Sequence, residues 1–176
     1  MFWKQGMKDN FEQCLALVLK EEGGYVNDSR DPGGRTNHGV TQKTWESYVG
    51  HPVTEADMVN LTIEDVSPLY KQNYWDKING DELPYGIDYA VFDMAVNSGV
   101  NRAAKTLQQV CGVGQDGQVG PATISAAEEA NGREVATRIC EARLAFLQGL
   151  PTWPTFGKGW GARVARVENI AFRMVE

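Results

Sequence analysis

Histidine, cysteine and positive charge are scarce in this sequence, and each shortage removes a class of chemistry. The 176 residues include 2 histidines and 3 cysteines. Cys14, Cys111 and Cys140 are odd in number and lack metal-ligand spacing. Each falls in a helical apolar pattern, so all three read as reduced core residues rather than a disulfide framework or metal site. No metal and no organic cofactor is expected. The 17 Lys and Arg against 23 Asp and Glu leave a net charge of −6. That balance argues against nucleic acid as a partner and gives no overall attraction to an anionic cell wall. Arg163 and Arg166 remain candidates for a local basic face. No apolar run is long enough to span a membrane. The opening Met1-Phe2-Trp3-Lys4-Gln5-Gly6 lacks the uninterrupted apolar segment of a signal peptide. Synthesis in the cytoplasm without an export signal is therefore expected. Repeats, low-complexity tracts and flexible linkers are missing too. A composition shift near Asp81-Glu82-Leu83-Pro84 is the one candidate boundary.

What is present centres on Glu21-Glu22-Gly23-Gly24-Tyr25-Val26-Asn27-Asp28 and the segment Asp31-Pro32-Gly33-Gly34-Arg35-Thr36-Asn37-His38-Gly39-Val40-Thr41-Gln42. At about 100° per residue, Phe11, Leu15, Val18 and Leu19 share one helical face, and Cys14 and Leu17 flank it. Glu22 continues the middle of that stripe, whereas Glu21 continues its flank. Low dielectric disfavours the charged form of a carboxyl on an apolar stripe, which suits a proton donor. The bland alternative is a solvated or capping glutamate. Gly23-Gly24 stops the helix, because glycine tolerates the left-handed position that ends one. Residues 27–34 are dense in turn formers. Val40 fits a short strand or an extended loop equally well.

The remainder reads as helical. Thr41 caps a helix from Gln42 to about Val49, and Thr54 opens a short turn. Thr62 with Asp65 forms a capping-box start for a helix running toward Trp75, with a kink or break expected at Pro68. Tyr70, Tyr74 and Trp75 read as core or as a sugar-stacking platform. Tyr85 to Asn97 is apolar almost all round and reads as a buried central helix. Its Asp93 and Asn97 share one face and need partners, or Asn97 reaches a cleft. Asn101 is expected to cap a helix from Arg102 to Cys111. Asp116-Gly117-x-x-Gly120-Pro121-x-Thr123 reads as a tight turn into a helix. An amphipathic helix follows from Arg133 to about Gly149. After an aromatic, proline-rich loop, a final helix spans about Gly159 to Val175.

At these residues the chain resembles glycoside hydrolase family 108. Glu22-Gly23-Gly24-Tyr25-Val26-Asn27, Asp31-Pro32-Gly33-Gly34-x-Thr36-Asn37-x-Gly39-Val40-Thr41 and Trp45 carry the resemblance. Phe92-Asp93-x-Ala95-Val96-Asn97-Ser98-Gly99 and the Asp116 to Thr123 motif resemble the predicted peptidoglycan-binding region that accompanies that hydrolase. The resemblance implies N-acetylmuramidases, known as phage endolysins and as bacterial secretion-linked enzymes. It implies a mainly α, α+β lysozyme-like fold, a helical bundle around a buried helix with a small polar β or loop lobe. Residues 1–83 would be catalytic and 84–176 peptidoglycan-binding-like, packed as one compact unit. A monomer is expected, released to the periplasmic wall by a holin or secretion system.

The family's catalytic glutamate maps onto Glu22. A looser likeness to phage-type lysozymes adds the order Glu22, Asp31, Thr36. In this chain the Asp-to-Thr spacing is one residue shorter than in that group, so Asn37 competes with Thr36, and Asp28 competes with Asp31. In the expected reaction Glu22 protonates the oxygen linking N-acetylmuramic acid to N-acetylglucosamine. Asp31 stabilises the oxocarbenium-like sugar, and Thr36 or Asn37 positions water. Carboxyls about 5 Å apart would favour retention, and about 6.5–9.5 Å inversion. Tyr25, Asn37, Gln42 and Asn97 are the substrate-binding candidates, and His38 is a further residue able to touch substrate. The competing readings are a lytic transglycosylase, a non-catalytic wall-binding module and a chitinase.

Overall fold

In the computed structural model, the described residues are 10–30 and 32–175. They form two compact units: residues 12–73, and residues 74–175 with Asn10 and Phe11. The elements of the first are the end of helix α1 (Asn10–Glu22), strands β1 (Thr36–Asn37) and β2 (Val40–Thr41), and helices α2 (Gln42–Val49), α3 (Glu55–Val59) and α4 (Ile63–Tyr70). The second contains α5 (Ile87–Ser98), α6 (Val100–Cys111), α7 (Pro121–Glu129), α8 (Gly132–Gln148) and α9 (Trp153–Met174). The protein is thus mainly α, with one two-stranded antiparallel hairpin.

The periodicity of α1 sets its burial. Phe11, Cys14, Leu15, Val18 and Leu19 are all buried, while Glu12, Gln13, Ala16 and Lys20 are exposed. Helix starts follow local chemistry. The Thr41 hydroxyl accepts the Thr44 N–H, and Thr54 with Asp57 and Thr62 with Asp65 form complete capping boxes. Helix α4 continues through Pro68 and then widens into a π-helical turn over Lys71–Trp75. No break falls at the proline itself.

In the helical unit, α5 is buried continuously from Ile87 to Ala95. Phe11, Trp75 and Phe92 pack as a triad with ring centroids 5.2 to 6.0 Å apart. Trp75 is therefore a core residue, and its indole N–H donates to Asp81 at 2.9 Å. Asp93 is fully buried and accepts from Arg143 Nη1 at 2.6 Å and from Arg163 Nε and Nη2 at 3.1 and 3.0 Å. Arg163 is only 8% exposed, so it belongs to this buried cluster and not to a basic face. None of the three cysteines forms a disulfide among the described residues, and burial pushes the Cys140 thiol up to about 12.

Two boundaries differ from the sequence reading. Helix α6 starts at Val100, because Gly99 at φ +97 turns the chain from α5 into α6 within one residue. Asn101 consequently lies inside the first turn and is not the cap. Helix α9 starts at Trp153 and not near Gly159. A proline in the first turn costs no helical hydrogen bond, and Gly157 lets the Trp153 ring lie where a Cβ would approach it to 2.5 Å. Among the described residues, no helix is long and apolar enough to cross a membrane.

Candidate active site

Glu22 is the last residue of α1, and the chain after it is shaped by backbone conformation. Gly23 takes φ +80, and its N–H donates to the Leu19 carbonyl at 3.2 Å, which closes the helix. The chain then extends, and Val26 exchanges two backbone hydrogen bonds of 2.8 Å with Thr36. Thr36 and Asn37 pair with Thr41 and Val40. His38 and Gly39 are left as a two-residue turn with φ of 48° and 74°. Two successive positive φ values match the twist of a hairpin and favour Asn-Gly or Asp-Gly. Histidine is held there by its contacts: Nε2–H donates to the Leu61 carbonyl at 3.0 Å, and the Tyr70 hydroxyl donates to the His38 carbonyl at 2.7 Å.

This turn presses on Glu22. A Cβ on Gly39 would lie 3.0 Å from both Cβ and Cγ of Glu22 and 2.5 Å from the Tyr70 hydroxyl oxygen. The stem of the glutamate is therefore seated directly on the hairpin turn, with Tyr70 beside it. Glu22 is half-buried.

A second set of contacts ties the hairpin lobe to its helices. Tyr25 donates to Glu55 Oε1 at 3.0 Å, and Arg35 pairs with Glu55 Oε2 at 3.5 Å. Arg35 Nη1 donates to Gln42 Oε1 at 3.1 Å, and Gln42 Nε2 donates to Glu46 and to the Val53 carbonyl, both at 3.2 Å. Desolvation and then the bond to Glu55 raise the Tyr25 phenol above its usual range. The Val53 N–H and the Gln42 amide hold the Glu46 carboxyl below its usual range.

The other candidates separate. Asn37 is 4% exposed, and its amide donates to the Met58 and Val59 carbonyls at 2.8 and 3.3 Å. It staples the hairpin to α3. Thr36, next to it, is half-buried. Asp28 receives Arg30 in a fork: Oδ1 accepts from the backbone N–H and Nε, both at 2.9 Å, and Oδ2 accepts from Nη2 at 2.8 Å. That pairing holds the Asp28 carboxyl below its usual range. Asp31 lies outside the described residues. Asn97 belongs to the helical unit, where its Oδ1 accepts from Arg143 Nη2 at 3.1 Å and from Ser98 Oγ at 3.2 Å. Because a guanidinium only donates, this contact fixes which way the Asn97 amide faces.

Sequence reasoning gave Tyr70 as core or a sugar-stacking platform and Gly39 as part of the family motif, and missed that both are placed beside Glu22. The signal for Gly39 was its place after His38 in a short polar run between Thr36-Asn37 and Val40-Thr41. For Tyr70 there was none, since its contact with the turn is long-range. Among the described residues, no group of three or more His, Cys, Asp or Glu is placed to hold a metal ion.

A family model described as Glycosyl hydrolase 108 matches residues 15–99, which span Glu22, the hairpin and Asn97. The solved structure of Brucella abortus SagA is 43% identical, with 95% of this chain and 96% of that one covered and a TM-score of 0.83. No curated protein matches.

Proposed function

This chain belongs to the glycosyl hydrolase 108 family, and from that membership we propose that it is an N-acetylmuramidase. It cleaves the β-1,4 bond between N-acetylmuramic acid and N-acetylglucosamine in peptidoglycan, with Glu22 as general acid. The observation that carries this reading is the seat of Glu22. Its stem rests on the His38–Gly39 turn, and that turn is itself held by Tyr70 and the Leu61 carbonyl. A general acid needs a fixed position relative to the oxygen it protonates.

In the proposed reaction, Glu22 gives its proton to the glycosidic oxygen as the bond from that oxygen to the anomeric carbon breaks. The sugar passes through an oxocarbenium-like state. Asp31 is the carboxylate assigned to stabilise it, because both oxygens of Asp28 are engaged by Arg30. Thr36 is assigned to position the attacking water, because the Asn37 amide is directed to backbone carbonyls. Tyr25 and Gln42 shape the lobe through Glu55, Arg35 and Glu46.

The test compares the unsubstituted chain with Glu22→Gln on purified peptidoglycan, reading turbidity and product mass. Loss of a general acid typically lowers the rate by about 10²–10⁴. Products ending in reducing muramic acid, lost in Glu22→Gln with an unchanged melting temperature, are expected. Anhydro-muramic products would replace the hydrolase with a transglycosylase. Equal activity of the two proteins would remove Glu22 from the chemistry.

A further inference from the structure

The motif Asp116-Gly117-x-x-Gly120-Pro121-x-Thr123 has no part in the chemistry proposed for Glu22, yet the helical unit organises a loop around it. Gln108, 1% exposed, donates from Nε2 to Asp116 Oδ1 at 2.8 Å, the Gln118 carbonyl at 2.9 Å and Thr123 Oγ1 at 3.2 Å. Its Oε1 accepts the Gly117 N–H at 3.0 Å. Asp116 also accepts the Gln118 N–H at 2.8 Å. Gly117 stands at φ +79 against Asn101 Oδ1, and a Cβ there would lie 3.6 Å from Lys105 Cε. A side chain at 117 would collide with Asn101, so the motif glycine lets the loop close on α6.

Together, loop and helix wall a groove of about 550 Å³, lined by Ser98, Asn101, Arg102, Lys105, Gln109 and Gln115 among others. That size lies in the ordinary range for ligand sites of roughly 300–1,000 Å³. The lining holds two cations and no carboxylate, in a chain whose net charge is −6. Among the described residues, neither cation makes an ion pair. The Arg102 guanidinium lies over the Phe146 ring, 3.7 Å from its centroid. Such stacking orients the planar group and leaves its N–H edge available. Two cations with amide and hydroxyl donors, and no competing acid, select an acceptor-rich anion.

We propose that this groove binds the free carboxylates of the peptide stems carried by peptidoglycan strands. The proposal rests on the muramidase reading for its choice of anion: in a stem-bearing strand the lactyl carboxyl of each muramic acid is tied up as an amide, so the free carboxylates are those of the stems.

The experiment measures binding of uncrosslinked glycan strands to the full chain carrying Glu22→Gln, which prevents turnover. Strands with intact stems are compared with strands stripped by an amidase and then amidated at the lactyl carboxyls that stripping exposes. A preference of about tenfold for the stem-bearing strands is expected, weakening with added salt. Adding Arg102→Gln and Lys105→Gln should reduce that ratio to about one. The charge-keeping pair Arg102→Lys and Lys105→Arg should keep most of it, which separates a charge requirement from a folding defect. Equal binding of both strands, or a ratio indifferent to loss of the two cations, overturns the proposal. Cleavage of the stem-bearing strands by the unsubstituted chain is measured in parallel. Cleavage without stem preference sinks the groove alone; stem preference without cleavage sinks the muramidase reading alone.

Discussion

The two units of this molecule are held by different balances of burial and hydrogen bonding. The helical unit is built on burial: α5 is closed to solvent along most of its length, Trp75, Phe92 and Phe11 interlock, and even its buried charges face one another. Residues 12–73 contain two strands of two residues each and an α2 without a single fully buried side chain. That unit also buries Leu15, Val18, Leu19, Met58, Val66 and Leu69, but its hairpin lobe is fixed by directed hydrogen bonds. The Asn37 amide, the His38 ring and the Tyr70 hydroxyl all end on backbone carbonyls, and threonines cap three successive helices. Burial tolerates small shifts but not lost volume or unpaired charge. Hydrogen-bonded turns hold a few atoms accurately at small total stability. The contrast suits a reacting group seated on the second kind of structure.

The largest effect on this contrast should come from Asp93. Both Arg143 and Arg163 direct guanidinium donors at its carboxylate, and Arg143 is 1% exposed. Breaking a buried ion cluster by removing one partner typically costs about 3–5 kcal/mol. Asp93→Ala should therefore lower the denaturation midpoint strongly and raise amide exchange along α5, α8 and α9. A shift under about 0.5 kcal/mol, the range of plain surface substitutions, would show that the cluster adds nothing to the helical unit.

A smaller, pH-dependent effect belongs to Asp88 in the same unit. Its carboxyl is fully buried and accepts from Asn10 Nδ2 at 2.7 Å, the Tyr89 N–H at 2.6 Å and the Gly86 N–H at 3.0 Å. Burial outweighs these three bonds and pushes it up to about 7 from a usual 3.8. The folded protein therefore retains a proton between pH 4 and 7 that the unfolded chain has released. Stability from this group is fully present below pH 4 and is lost as pH rises to 7, by at most about 1.4 kcal/mol per pH unit. Asp88→Asn, with the Asn10 amide turned over to accept, should flatten that part of the profile. Denaturant melts at pH 4.5 and 7.5 decide the point; parallel losses in both proteins would rule Asp88 out as the cause.

The same contrast explains what could be read from the chain beforehand. The stripe of α1, the capping threonines and the buried helix at 87–98 are local periodicities, and the structure follows them closely. Glu22 was singled out because it extends such a stripe. The starts of α6 and α9 were misplaced because Gly99 compresses a turn to one residue and Pro154 fits inside a first turn. Polar residues of the hairpin lobe were harder still. Asn37 and Gln42 have side chains equally suited to substrate or to a neighbouring carbonyl. Their partners, at Met58, Val59 and Val53, are set by how distant segments meet. Arg163 resembled a surface cation because nothing local announces that its partner is Asp93, 70 residues away.

The finest test sets two glycines of the hydrogen-bonded unit against each other. Gly39 and Gly50 both hold positive φ, +74 and +81. A Cβ at Gly50 would meet nothing within 4 Å, whereas one at Gly39 would meet the Tyr70 hydroxyl and the stem of Glu22. Alanine at either position carries a backbone cost of about 1–3 kcal/mol. Only Gly39→Ala also displaces the proposed acid. A misplacement of about 1 Å near the chemistry can cost about 10²-fold in rate. Both variants should thus melt somewhat lower, but turnover of peptidoglycan should collapse in Gly39→Ala and persist in Gly50→Ala when measured well below either melting temperature. Equal turnover in the two would mean that the hairpin turn supports the fold without positioning Glu22, and the functional meaning given to its seat would be lost.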